Sequence, residues 1–331
     1  MCQKKELKVA HLCCGIGGTA LGFEEAGFKT VYANEIWPLH ANTFENNFEI
    51  KVDVKNVEQI NLDELPSFDV LTSSLPYVDF ATEEIDIMRH PIYQGAYRIV
   101  EYSKPQVFCL EMLHSKRQNE NKLQWLQDYL DKFNQLGYQI QTTIVSDRIE
   151  GGCPTHRSSW IAIGFLNEDQ SNRFKGIEPN QETILINDCV DFTHQEDDNH
   201  YIEMYMKTGQ RQQKIGELTP SPVGIYRIKK FHQSPDEWCS DDFVLVNNEN
   251  GRVQMFGLDY RHINQVVRDE KGVRVLSIRE KLNFKGFPTT FKIGNESKSF
   301  FENYREVSGQ VSAAMCVPLA KQIAKAIKET F

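Results

Sequence analysis

The stretch Leu12-Cys13-Cys14-Gly15-Ile16-Gly17-Gly18 decides the fold that we expect for this chain. Residues 7–13 read as a strand and residues 19–26 as an amphipathic helix, and a second strand over 28–32 closes on Ala33-Asn34-Glu35. This is a βαβ unit with a glycine-rich first turn and an acid at the tip of its second strand. The backbone approaches a ligand closely at such a turn, and the acid can accept hydrogen bonds from ribose hydroxyls. A nucleotide-type ligand is therefore favoured, and a purely structural turn is the alternative that this pattern leaves open.

The chain up to residue 165 continues to alternate between strands and helices. Further strands are predicted at 52–54, 68–72, 105–111, 138–145 and 159–165, with helices at 37–47, 91–102 and 122–136. Strands that alternate with helices are typical of a parallel sheet covered on both faces. The predicted fold class is α/β, with a doubly wound, Rossmann-like sheet.

The character of the sequence changes at about residue 166. Residues 166–272 are polar and short-stranded without clear helical periodicity, which indicates a separate, mostly β insertion. Regular structure returns near residue 273, where Ser277 and Glu280 predict a helix capping box. Residues 310–329 read as one mostly apolar helix that returns next to the first strand. The predicted domains are 1–165 plus 273–331, and 166–272.

Composition limits the class of protein. The 331 residues are 40% hydrophobic and 25% charged, as in ordinary globular proteins, and no run of about 18 apolar residues predicts a membrane span. Eight Cys without C-x-x-C spacing indicate thiols in a reducing compartment and no metal site. We expect a cytoplasmic protein, nucleoid-associated, or nuclear in a eukaryote. The formal charge of −9 disfavours nucleic-acid binding but leaves room for a local basic groove.

The loop Ser73-Ser74-Leu75-Pro76-Tyr77-Val78-Asp79-Phe80 is the predicted centre of the chemistry. It follows a buried strand, its proline stops that strand, and acidic residues come after it. In an open α/β sheet, ligands and reactive groups lie in the loops at the carboxyl ends of the strands.

Segments along the whole chain resemble, in order, the motifs of the C5-cytosine DNA methyltransferase family. The matching segments are 12–18, 34–36, Asp53, Pro76, 110–113, 152–159, 274–288, and 304–307 with 317–320. The resemblance implies the fold of an S-adenosylmethionine (SAM)-dependent methyltransferase, with 166–272 as a target-recognition domain. It also implies DNA as a partner and a role in DNA methylation or restriction–modification.

The resemblance also implies which residues form the site. Those at the cofactor side are Cys13, Gly15, Gly17, Gly18, Glu35, Ile36 and Asp53, with Ile36 packing the adenine. Those at the base side are Pro76, Glu111 and Arg157, with Tyr77 at the position of the family's nucleophilic Cys. A purely structural role for Pro76, Glu111 and Arg157 is the alternative.

This sequence departs from the family pattern where the reaction takes place. The family flips the target base out of the duplex and attacks it with a Cys thiolate. A thiol with a pKa near 8.5 can be tuned to that task, whereas a Tyr phenol near 10 is far less suited. Val78, Met112, Thr155 and Ser159 also replace family residues, and we expect these departures to cluster at the same site.

Three hypotheses follow from these residues. The first is an inactive family member that acts as an accessory, regulatory or DNA-binding subunit beside an active methyltransferase or another modification protein. The second is an active cytosine-5 methyltransferase on DNA or RNA with another nucleophile, for which Cys109 and Cys153 are the candidates. The third is a module that binds SAM as a structural or sensed ligand.

Overall fold

The computed structural model describes residues 6–75, 90–114, 120–190, 224–228, 243–245, 255–256, 265–268, 273–274, 276–294 and 300–331. Contacts divide the chain into two compact units. The first comprises Met1–Gly152, Arg157–Gln181 and Ala314–Phe331, and the second comprises Cys153–His156 and Glu182–Ala313. No helix within the described ranges is long and apolar enough to cross a membrane.

The first unit is built on a seven-stranded sheet with the order β3-β2-β1-β4-β5-β8-β6. Its strands are β1 (Leu7–Leu12), β2 (Phe28–Glu35), β3 (Val52–Val54), β4 (Val70–Ser74), β5 (Val107–Leu113), β6 (Gln139–Ser146) and β8 (Ser158–Phe165), while β7 (Thr155–His156) belongs to the second unit. All pairs are parallel except those of β8, which is antiparallel to both of its neighbours. The strand order reverses between β1 and β4, so a crevice is expected at the carboxyl ends there. The predicted α/β fold is confirmed.

Helices cover the two faces of this sheet. They are α1 (Gly18–Glu25), α2 (Pro38–Glu45), α3 (Pro91–Ser103), α4 (Glu120–Gln135), α5 (Glu168–Arg173) and, from the end of the chain, α9 (Val317–Lys328). The second unit contains α6 (Ile186–Cys189), α7 (Ile278–Phe284) and α8 (Phe300–Ala313). The main core packs Leu71, Phe108 and Leu110 of the strands against Tyr93 of α3 and Phe133 of α4.

The predicted single helix over 310–329 is wrong, because two helices occupy this part of the chain. Pro318 stands in the first turn of α9. A proline has no N–H to donate and favours the start of a helix over its interior, so α8 cannot run on into α9. α9 does return to the first unit, where it packs against α1, the helix that follows β1. This packing needs Gly22, since a Cβ there would lie 2.5 Å from the Cβ of Ala320.

The second unit contains a four-stranded antiparallel sheet in its described residues. Its order is β10 (Phe243–Leu245), β9 (Gly224–Ile228), β12 (Gln265–Arg268) and β13 (Val273–Arg274), and β11 (Met255–Phe256) pairs with β7. The predicted capping box is confirmed at the start of α7. Glu280 N–H donates to Ser277 Oγ at 3.1 Å, and Ser277 N–H donates to Glu280 Oε2 at 2.7 Å.

The two units do not follow the predicted bounds of 166 and 272, because residues 166–181 group with the first unit while Cys153–His156 and residues 273–313 group with the second. α5 packs against β6 and β8, and Gln141 Nε2 of β6 donates to the carbonyl of Ser171 at 2.8 Å. α7 instead packs against α6 and α8, and Asn283 Nδ2 donates to the carbonyl of Cys189 at 3.2 Å. The second unit therefore also contains helices, and one of them, α7, is the helix that the capping box predicts.

His11 in the core of the first unit gives a testable pH dependence. It is fully buried on β1, its Nδ1 lies 2.5 Å from Thr72 Oγ1, and burial lowers its pKa to about 3. The unfolded chain takes up a proton at this side chain below its ordinary pKa of about 6.5, whereas the folded chain does so only near 3. The free energy of unfolding should therefore fall by about 1.4 kcal/mol per pH unit through His11 as pH drops from 6.5 towards 3.

The measurement compares denaturant unfolding of the wild type and His11→Asn between pH 6 and pH 4. Because Asn does not titrate, the variant should show a shallower loss of stability with falling pH. Equal slopes in the two proteins would show that His11 is not held neutral by the fold.

Candidate functional site

The glycine turn between β1 and α1 forms the floor of the crevice. Positive φ values occur at Cys13 (50°), Gly15 (55°) and Gly17 (99°), a region that favours glycine. The turn is closed by the N–H of Cys14, which donates to the carbonyl of Asn34 at 2.9 Å. A Cβ on Gly15 would meet no atom within 4 Å, so open space lies above this part of the turn.

Glu35 at the end of β2 holds this turn together. Its Oε2 accepts from the N–H of Gly15 at 2.9 Å, and its Oε1 accepts from the N–H groups of Ile36 at 2.8 Å and Trp37 at 3.0 Å. An ionised carboxylate offers about four acceptor sites, so three bonds leave about one for a ligand. Glu35 can therefore brace the turn and still accept from a ribose hydroxyl.

Asp53 on β3 lies beside Glu35 at the same edge of the sheet. Tyr32 donates its hydroxyl to Asp53 Oδ2 at 2.7 Å, and Lys55 Nζ lies 3.0 Å from Oδ1. The Asn34 amide donates to the carbonyls of Asp53 and Lys55, at 2.8 Å each. These contacts lock the ends of β2 and β3 to one another.

Apolar side chains flank this cradle. Ile36 is 47% exposed and Trp37 is 63% exposed, directly after Glu35. Buried Asn34 keeps its Oδ1 without a hydrogen-bond partner in the described part of the chain. Open space at Gly15, acceptors at Glu35 and Asp53, and exposed apolar surface at Ile36 suit a nucleoside, and these residues lie close together at the carboxyl ends of β1, β2 and β3.

Tyr32 and Lys55 are part of this crevice but were not among the predicted site residues. Tyr32 lies on β2 two positions before Asn34, the first residue of the matching segment 34–36, and Lys55 follows β3 two positions after Asp53. Residues two apart on a strand face the same side of the sheet. This spacing is the sequence signal that could have identified the two residues. It can be interpreted only when β2 and β3 are known to pair.

Burial keeps the thiols of Cys13, Cys14 and Cys109 from being activated as nucleophiles. Burial and the Glu35 carboxylate raise the pKa of Cys13 to about 12, and burial with Glu111 raises that of Cys109 to about 12. Burial also raises the pKa of Cys14, and Cys153 is only 1% exposed. A thiol with a pKa near 12 carries almost no thiolate at neutral pH.

Two of the predicted base-side residues form a buried ion pair. Arg157 Nη2 lies 3.0 Å from Glu111 Oε1, and Ser159 Oγ donates to the same oxygen at 2.6 Å. Arg157 Nη1 also donates to the carbonyl of Ala314 at 3.1 Å. Burial alone would lower the pKa of Arg157, but the nearby Glu111 and Asp147 carboxylates outweigh it and raise the pKa.

Pro76, Tyr77 and Val78 lie outside the described residues. The last described residue before them is Leu75, whose N–H donates to the carbonyl of Glu111 at 2.8 Å. The chain therefore leaves β4 directly beside the Glu111–Arg157 pair.

The expectation that Met112 belongs to this site is wrong. Successive residues of a strand face opposite sides of a sheet, so Met112 points away from the side that Glu111 faces. Met112 lies in the main core, where Tyr93 donates its hydroxyl to the Met112 sulfur at 3.2 Å and Tyr129 donates to the Tyr93 carbonyl at 2.8 Å. Ser159, by contrast, does contact Glu111.

Met112→Asn, which restores the family residue, should therefore destabilise the protein. It removes a buried thioether and places an amide in an apolar core, at an expected cost of about 2–4 kcal/mol in the free energy of unfolding. Chemical denaturation measures the change in the free energy of unfolding. The surface substitution Gln135→Asn is the control, and it should leave that free energy almost unchanged. A variant as stable as the wild type would contradict the core position of Met112.

Metal binding is a separate question from nucleoside binding. Within the described ranges, no three His, Cys, Asp or Glu side chains are grouped to hold a metal ion.

Comparison with known proteins identifies the class of this fold and site. A family profile described as C-5 cytosine-specific DNA methylase matches residues 7–329. The chain therefore belongs to the C5-cytosine DNA methyltransferase family. This family uses SAM, and the glycine turn, Glu35 and Asp53 fit a nucleoside of that kind.

Particular relatives match this chain over nearly its whole length. Type II methyltransferase M.Bsp6I of Bacillus sp. (strain RFL6) is 26% identical over 97% of this chain and 98% of its own length. M.BsuFI of Bacillus subtilis is 27% identical over 98% of this chain and 73% of its own. Among solved structures, the Entamoeba histolytica methyltransferase EhMeth has a TM-score of 0.65 at 16% identity, covering 98% of each chain. The S. pombe Dnmt2 methyltransferase has a TM-score of 0.61 at 16% identity, covering 98% of this chain and 99% of its own.

Proposed function

We propose that this chain is a C5-cytosine methyltransferase homologue that does not transfer methyl groups by itself. It acts as an accessory, regulatory or DNA-binding subunit in DNA modification or defence. The observation that carries this proposal is the sequence Pro76-Tyr77-Val78, with Tyr77 where the family has its nucleophilic Cys. A phenol with a pKa near 10 is protonated at neutral pH, and its oxygen is a poorer nucleophile than a thiolate.

The cofactor side supports binding of SAM, which would supply the methyl group when bound. In this proposal Gly15, Gly17 and Gly18 let the backbone approach the ligand, as does the left-handed backbone at Cys13. Glu35 accepts from the ribose, Asp53 accepts from the purine, and Ile36 packs against the purine ring. These roles need only the chain's own acceptors and apolar surface, and they do not depend on methyl transfer.

The base side supports a different conclusion. Arg157 and Ser159 both engage Oε1 of Glu111, so this carboxylate already has partners without a base. Because the buried charges of Glu111 and Arg157 are paired with each other, neither needs a bound base as a partner. We propose that Glu111 and Arg157 now mainly hold the strand ends in place beside the loop that begins at Pro76.

An active enzyme with a substitute nucleophile is less well supported. Burial raises the pKa of Cys109 to about 12, and Cys153 is buried as well. A substitute nucleophile must be both reachable by the base and partly ionised. Neither of the two candidate thiols meets both conditions.

Methyl transfer from radiolabelled SAM to DNA that lacks cytosine methylation tests the loss of activity. The purified wild type and Tyr77→Phe, which cannot ionise at that position, should both incorporate no more label than a reaction without protein. Label above that level in both proteins would show another nucleophile and contradict the proposal. If the wild type methylates DNA above the level of Tyr77→Phe, the phenol participates and the proposal is wrong. An active family member run in parallel shows that the DNA and the donor are competent.

The accessory role is tested in the native cell. A tagged chain expressed at its natural level should elute in a complex with a mass above its own 38.3 kDa, together with a DNA-modification protein. A chain found only as a free monomer would contradict the accessory role and leave the absence of activity standing.

A SAM-binding module is a second candidate function, favoured by the Glu35 cradle. Under this hypothesis the chain binds SAM or its demethylated product as a sensed or structural ligand. Calorimetric titration should show binding of at least one of the two compounds, and a titration in which neither compound gives heat would remove this candidate.

A further inference from the structure

Asp53 is held in the crevice as a fixed hydrogen-bond acceptor. The Tyr32 hydroxyl donates to Oδ2 at 2.7 Å, and Lys55 Nζ lies 3.0 Å from Oδ1. Burial and the Asp53 carboxylate raise the pKa of Tyr32, so its hydroxyl keeps the proton and remains the donor. Each carboxylate oxygen of Asp53 therefore has one fixed partner and can still accept a further hydrogen bond from a ligand.

The position of Asp53 suits it to contact a ligand. In the paired strands, Asn34 is opposite Asp53 and Glu35 is opposite Val54, so Asp53 and Glu35 lie at the carboxyl ends of adjacent strands but face opposite sides of the sheet. A ligand that lies across these strand ends could contact both carboxylates. The Asp53 side chain is 26% exposed, which leaves part of it accessible. Asn34 ties the backbone at Asp53 and Lys55, so the carboxylate cannot easily turn away.

We infer that Tyr32 is a positioning residue that, together with Lys55, fixes Asp53 so that the crevice selects a cofactor with an amino group on its purine over one with a carbonyl. An anchored carboxylate gains a hydrogen bond from an amino group, whereas a carbonyl oxygen in the same place leaves it facing another acceptor. Discrimination of this kind is moderate here, because Asp53 is 26% exposed and keeps Tyr32 and Lys55 as partners in the wrong complex. The inference rests on the proposed binding of SAM in this crevice.

The test compares two ligands that differ at that group and at the adjacent N1, which is an acceptor in the adenosyl compound and carries a hydrogen in the inosyl compound. The change in selectivity on Tyr32→Phe, rather than the wild-type ratio alone, therefore reports on Asp53. S-adenosyl-L-homocysteine carries the amino group, and S-inosyl-L-homocysteine carries a carbonyl. Calorimetric titration of the full chain should show at least about tenfold tighter binding of the adenosyl compound. In Tyr32→Phe the adenosyl affinity should fall about fivefold, while the inosyl affinity stays within about twofold, so the selectivity ratio shrinks.

The matched control is Tyr102→Phe. Tyr102 is 53% exposed and donates its hydroxyl to Asp63 at 3.0 Å, so this change also removes a bond from a tyrosine to a carboxylate. It should leave both affinities unchanged. An equal loss for both ligands in Tyr32→Phe, or no loss for either, would overturn the positioning role.

The titration, read together with the methyl-transfer assay, separates this inference from the proposed lack of activity. If the folded wild type binds neither compound, the inference is wrong, yet the absence of methyl transfer stands. If the wild type transfers methyl groups but shows the expected selectivity, the proposed inactivity is wrong and the inference stands.

Discussion

Arg157→Met is expected to lower the free energy of unfolding by about 3–5 kcal/mol. The side chains of Arg157 and Glu111 are only 15% and 6% exposed, and the pair is joined at 3.0 Å. Removing one member of a buried ion pair leaves the other as an uncompensated charge away from water, which costs far more than the pair itself contributes. Chemical denaturation of both proteins under identical conditions measures the difference.

The design includes a double variant and a surface control. Glu111→Gln in the Arg157→Met background should recover part of the lost stability, because it removes the charge that was left behind. Lys321→Met breaks a 2.9 Å ion pair with Glu25 whose side chains are 36% and 39% exposed, and should cost no more than about 1 kcal/mol. If Arg157→Met and Lys321→Met cost the same, the Glu111–Arg157 pair is not a buried structural contact.

Glu35→Ala is expected to weaken binding of S-adenosyl-L-homocysteine by about 100-fold or more. The change removes the acceptor proposed for the ribose, and it also removes the partner of three backbone N–H groups at the turn. Hydrogen bonds to a charged group contribute about 1.5–3 kcal/mol each, and 2.7 kcal/mol corresponds to about 100-fold. Calorimetric titration gives the affinity, and circular dichroism verifies that the variant is folded.

Glu45→Ala is a close control for this loss. Glu45 also accepts from a backbone N–H, that of Val52 at 2.9 Å, and pairs with Lys51, but these partners lie on β3 and the segment just before it, not on the glycine turn. Its removal should leave the affinity within about twofold. Glu35→Gln should fall between wild type and Glu35→Ala, since its amide keeps one acceptor oxygen. Wild-type affinity in a folded Glu35→Ala protein would rule out Glu35 as a cofactor residue.

Much of the fold could be predicted because its signals are local. The glycine turn after β1, the alternation of strands and helices, and the capping box at Ser277 are all set by residues close in sequence. The break between α8 and α9 was missed because apolar residues continue on both sides of it. Pro318 was the local signal that a new helix begins there.

The site could be predicted only where one residue type at one position carries the information. Glu35 has that property, since an acid ends the second strand of a βαβ unit. Met112 was placed wrongly because neighbours along β5 face opposite sides of the sheet, and motif order does not show this. The contacts of Tyr32 and Ser159 depend on partners 21 and 48 residues away, on other strands. Such pairs exist only after the sheet has formed.

The absence of methyl transfer is tested most directly by expressing this chain alone in a host that has no cytosine methyltransferase. Mass spectrometry then quantifies 5-methylcytosine in total DNA and RNA, and a whole genome offers every short target sequence. We predict a level indistinguishable from the host without the protein, with the chain shown to be folded. A clear 5-methylcytosine signal would contradict the account and show that the chain has a working nucleophile despite Tyr77.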